Sequence, residues 1–117
     1  ISESAYLCLK LAWIYRGEIQ EAKANGAAQE RISMYEKYEK EYLEDAYRGF
    51  KQARETEYPP IAGMDENTIT YLLTSIGIHC GKIDEARRYG SALLISRTAS
   101  MKLKNKTRDV LETIKKN

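Results

Sequence analysis

Ile32, Tyr35, Tyr42, Leu43, Ala46, Phe50 and Ala53 recur mainly at steps of three, four and seven in a stretch without proline. An α-helix turns once every 3.6 residues, so these side chains share one face, whereas a half-buried strand would need strict alternation. Between them Glu36, Lys37, Glu39, Lys40, Glu41, Glu44 and Asp45 take the wet side, with Glu36–Lys40 and Glu44–Arg48 at i,i+4 spacing. The spacing predicts one long helix over residues 28–57. Tyr58-Pro59-Pro60 stops it, because proline has no amide to donate and pushes its predecessor away from α.

The remaining segments carry the same signal. Leu7, Leu11, Ile14 and Tyr15 predict a first helix over residues 4–16 that buries this stripe, with Cys8 and Ala12 at small positions. Residues 18–26 either continue it or form a short turn ending at Asn25-Gly26. Residues 61–64 read as a loop and Asp65 as an N-cap. Glu66 adds negative charge at the positive helix end, and Met64 and Ile69 form a hydrophobic staple. A third helix then runs to residue 80 with Leu72, Leu73, Ile76 and Gly77 inward, closed by Gly81. A fourth, over residues 83–99, packs on Ala86, Tyr89, Gly90, Leu93 and Leu94. Glycine inside a helix costs up to about 1 kcal/mol against alanine, so Gly90 marks a close neighbour. The last helix, residues 102–116, turns Leu103, Thr107, Val110, Leu111 and Ile114 inward and is lysine-rich elsewhere, as a capping helix is. The expectation is a single all-α domain over residues 1–117. Because the chain opens on Ile1, it reads as a piece of a longer protein.

Several chemistries find no support. No apolar run approaches the roughly 18 residues of a membrane span, and no basic-then-apolar leader opens the chain. Cys8 and Cys80 sit in separate helical patterns and read as two thiols in a reducing cytoplasm. Together with the single His79 they fall short of the roughly four ligands of a zinc site, so neither metal nor cofactor is expected. His79 and Cys80 are neighbours on a helix and diverge by about 100°, which separates a would-be dyad. Capping accounts for Asp65, and no glycine-rich phosphate loop is present. No enzyme is expected. Net charge is only +2. It is uneven, however, at −4 over residues 28–68 and +6 over residues 69–117, a polarity able to steer a partner.

Two stretches repeat. Tyr42 to Ala53 and Gly81 to Leu93 both place a small residue, then a residue four on, then another three on: Ala46, Phe50 and Ala53 in one, Ala86, Gly90 and Leu93 in the other. The arrangement resembles the tetratricopeptide pattern, with about two repeats, the first having a long second helix, plus a C-terminal capping helix. Gly81-Lys-Ile-Asp-Glu-Ala86 resembles that pattern's turn and second-helix start. The first hairpin departs from it, with about twenty extra residues between its halves. Leu11-Ala-Trp-Ile-Tyr-Arg16, the extended second helix and Gly63-Met-Asp-Glu66 together resemble a bacterial family of uncharacterised proteins, that of the domain of unknown function 2225. The resemblance implies a tetratricopeptide-like half behind a Cys-rich, metal-binding half that is not in this chain, and it implies partner binding rather than an activity.

In tetratricopeptide arrays the first helix of each hairpin lines the concave side. Aligned on that pattern, Tyr6, Leu9, Trp13, Arg16, Tyr71, Ser75, Ile78 and His79 become the expected partner-binding positions, a mix that interface hot spots favour. Trp13 and Tyr6 are equally readable as core. Arg16 must meet either a carboxylate or a ligand. The expected partner is a protein or peptide, the chain's own missing N-terminal half included, and the tyrosine-rich faces also allow a homodimer. The alternative is a nucleic-acid-associated or regulatory module using the basic last helix, although aromatic and basic residues are not interleaved as single-strand binders prefer.

Overall fold

The dipeptides Asn25-Gly26 and Cys80-Gly81 each end a helix, and they end it in the same way. The computed structural model describes residues 2–56 and 65–115, which hold five α-helices: α1 (Ser2–Ala24), α2 (Gln29–Thr56), α3 (Glu66–His79), α4 (Ile83–Leu94) and α5 (Met101–Lys115). Gly26 and Gly81 lie at φ 68° and 78°, the left-handed region that side chains disfavour. After α1, the Gly26 amide donates to the Lys23 carbonyl and that of Ala27 to Ala22; after α3, Gly81 donates to Ile78 and Lys82 to Gly77. Both are Schellman stops, which satisfy the last carbonyls and turn the chain back at once. At the start of α3, Asp65 accepts the Thr68 amide at 2.7 Å as the expected N-cap.

These stops produce two hairpins, α1–α2 and α3–α4. α2 joins them by packing on α3, and α5 lies against both α3 and α4. α2 is the longest helix, its 28 residues making about 42 Å. The main core forms where α2 is held between α1 and α3, around Phe50, Ala46, Leu43, Leu73 and Ile76. Beyond it α1 and α2 extend as an arm with a small core of its own, Ile19 and Ala22 against Ile32. The extra length of the first hairpin is thus added to both helices, and its turn is of the same kind as the second. The small positions Ala46, Ala53, Ala86 and Gly90 are all buried at helix crossings.

Of the two readings of residues 18–26, the structure takes the continuous one, with α1 running to Ala24. Three expectations need correcting. α4 stops at Leu94, where the Ile95 amide closes on Ser91, rather than at residue 99. The expected i,i+4 partner of Arg48, Glu44, is passed over for Asp45. The largest correction concerns the face of α1. Ala5, Leu9, Ala12, Ile19 and Ala22 are inside, while Leu7 and Ile14 stand 59% and 58% exposed, with Leu11 beside them. Over residues 4–15 Lys10 is the one charged side chain of α1, so periodicity alone does not separate the two apolar stripes; small residues at Ala5 and Ala12 let α2 approach on the buried side. The proline stop and the Met64 staple fall within residues 57–64, outside the described residues.

One further contact ties α2 to α4. Buried Tyr47, absent from the expected stripe, donates its phenol to the Glu85 carboxylate, which also accepts from Lys51 Nζ at 3.2 Å. Burial, reinforced by that carboxylate, pushes the Tyr47 phenol far above its ordinary range, and the same bond holds Glu85 down.

Candidate interaction surface

Residues 67–78 of α3 contain no charged side chain, so one face of α3 can enter the core while the other remains open without a charge to hydrate. Leu73, Thr74 and Ile76 take the inner face, and Thr74 satisfies its buried hydroxyl on the Thr70 carbonyl at 2.9 Å. Ser75, Ile78 and His79 are left on the outer side, facing Val110 and Thr113 of α5 across a depression of about 210 Å³. Three of the expected site residues therefore come together, and two residues complete the wall that the sequence had assigned elsewhere or not at all. Val110 belongs to the stripe expected to face inward, and Thr113 carries no signal of its own.

On α1 the expected positions divide. Trp13 is 49% exposed, which places it outside the core. Tyr6 is half-buried against the main core, with Lys10 Nζ 4.5 Å over its ring. Leu9, expected in the groove, is 2% exposed and belongs to the core, because it falls on the stripe with Ala5 and Ala12 that packs on α2. Tyr71 is half-buried on α3. Arg16 meets a carboxylate: its Nε donates to Glu39 of α2 at 2.9 Å, a half-exposed pair worth about 1 kcal/mol at most.

Arg16 also reaches His79 electrostatically. Lost hydration around the ring, and then the Arg16 charge, hold His79 below its ordinary value of 6.5, with Glu39 opposing them. The neutral ring is the favoured folded form, so the stability it contributes is present above about pH 6.5 and is lost as pH falls through the lower folded value. An NMR titration of His79 is expected to give a midpoint below 6.5, and Arg16→Gln to raise it without restoring the ordinary value, since lost hydration is the larger cause. An unchanged midpoint in the variant would mean that α1 and α3 do not bring these two side chains together.

The other residue types with reactive potential are quiet. Cys8 and Cys80 are free and half-buried, and burial pushes both thiols up, which makes them poor nucleophiles. Among the described residues no three His, Cys, Asp or Glu side chains are grouped so as to hold a metal, and no helix is long and apolar enough to cross a membrane. The opposite side of the α1–α2 seam is aromatic, with Tyr15 stacked on Tyr42 at 5.8 Å and tilted against Tyr35 and Tyr38.

Neither the curated proteins nor the solved structures contain a match to this chain. Residues 1–114 match a family of uncharacterised proteins conserved in bacteria, and the chain belongs to that family, DUF2225.

Proposed function

We propose that this domain is a tetratricopeptide-like interaction module that receives a protein or peptide segment on the face shared by α1, α3 and α5, and that it performs no catalysis. The packing order supports the architecture: each helix packs on the next, α5 also packs on α3, both hairpins close on the same glycine stop, and small residues sit at the crossings. In such an array α1, α3 and α5 are the equivalent inner helices. The observation that carries the reading is the open depression between two of them, α3 and α5, with aliphatic walls at Ile78 and Val110 and small hydroxyls at Ser75 and Thr113. Concave, mostly apolar sites with a few polar groups are where short segments dock.

A displayed library of random peptides tests this. Wild type is expected to enrich a related set of sequences. Ser75→Gln with Thr113→Gln, which fills the depression without adding charge from positions that the core does not use, is expected to lower their recovery at least about tenfold with helicity by circular dichroism unchanged. No enrichment on wild type, or equal recovery on the variant, overturns the proposal.

A further inference from the structure

We propose that the segment received along α3 and α5 is acidic. This rests on the groove reading above and adds the chemistry of the occupant. Lys106 stands four residues before Val110 and seven before Thr113, and Lys102 stands four before Lys106. At helical spacing both lysines extend the row that walls the depression. Both are exposed, and neither takes an ion pair among the described residues. The stretch of α3 over residues 67–78 brings no carboxylate, and those at its N-terminal end are engaged, Asp65 on the Thr68 amide and Glu66 with Arg54 at 4.0 Å. Asp109 lies on the adjoining row of α5 without pairing to either lysine, and Glu39, near the His79 end, is held by Arg16. The surface is therefore aliphatic at one end and net positive along its continuation, with two exposed lysines against one aspartate. A segment that seats an aliphatic side chain between Ile78 and Val110 and carries carboxylates toward Lys106 and Lys102 complements both parts.

Nucleic acid shares the charge but not the rest. Stacking rings favour single strands, and the stacked tyrosines of this protein lie in the α1–α2 seam, away from α5. The depression itself is walled mostly by aliphatic and hydroxyl groups.

Three pools of short peptides separate the possibilities. Each has a central leucine, with flanks randomised over Asp, Glu and Ser, over Asn, Gln and Ser, or over Lys, Arg and Ser. They are passed over the immobilised full chain at low and high salt, beside single-stranded DNA of mixed sequence. The acidic pool is expected to be retained roughly tenfold better than the neutral one at low salt. That preference is expected to shrink at high salt and to vanish in K102Q/K106Q, with retention of the neutral pool unchanged. A neutral pool retained equally overturns the acidic assignment and leaves the groove standing. No pool retained overturns both. DNA retained while peptides are not, and lost in K102Q/K106Q, overturns the assignment in favour of nucleic acid.

Discussion

Replacing Phe50 with alanine is expected to cost about 3–5 kcal/mol, out of the roughly 5–15 kcal/mol that holds a domain of this size together. Phe50 is 0% exposed at the point where α2 is held between α1 and α3. Deleting the ring removes its burial and leaves a cavity that cannot readily collapse, because two Schellman turns and a long helix fix the walls. In urea the midpoint should fall by about 2 M with little change in slope, since the surface exposed on unfolding is nearly the same. The informative comparison is Leu7→Ala. The apolar spacing of α1 places Leu7 on the buried stripe, whereas the structure places it outside at 59% exposure. Its truncation should therefore stay within about 0.5 kcal/mol. A loss at Leu7 comparable to that at Phe50 would mean that α1 is rotated from the face described, and that Trp13 and Arg16 are misplaced with it.

That comparison also shows what could be read from the sequence and what could not. α2 was legible because its polar residues are charged, so a single stripe remains for the core. α1 was not, because Leu7, Leu11 and Ile14 compete with Leu9, Ala12 and Ile19, and over residues 4–15 Lys10 is the one charge that marks a wet side. The choice is made by small side chains that admit α2, a property of the pair rather than of either segment. The misplacement of Leu9 among the groove residues follows from that error. Ser75, Ile78 and His79 were legible as a group since they share one side of a helix whose other side is strongly apolar. Val110 and Thr113 were not, because their role depends on α5 lying beside α3, and a contact between helices separated in sequence leaves no local signal. Tyr47 was missed for a related reason: a tyrosine reads as an edge residue until Glu85, 38 positions on, is seen to accept its hydroxyl.

The second large effect is expected where two helices touch without side chains between them. Gly49 on α2 faces Ala5 on α1, and a Cβ at residue 49 would fall 2.7 Å from the Ala5 Cβ and 3.4 Å from its Cα. A methyl group fixed to a helix backbone cannot rotate away, so Gly49→Ala must push α1 and α2 apart along a seam that both cores use. Overpacking of this kind costs typically 1–3 kcal/mol, against a gain of about 0.5–1 kcal/mol from better helix propensity, so the net expectation is destabilisation by about 1–2 kcal/mol. Gly90 on α4 provides the contrast. A Cβ there meets Leu111, with Cδ1 at 2.9 Å and Cγ at 3.1 Å, but that side chain is half-exposed and can change rotamer. Gly90→Ala should therefore be close to neutral, within about 0.5 kcal/mol, because propensity offsets the adjustment. A double-mutant cycle isolates the cause at the first site: adding Ala5→Gly to Gly49→Ala removes the opposing methyl and should recover about 1 kcal/mol of the loss, even though glycine at residue 5 weakens α1 when introduced alone. If the two substitutions simply add, the close approach of α1 and α2 at this crossing is not what Gly49 provides.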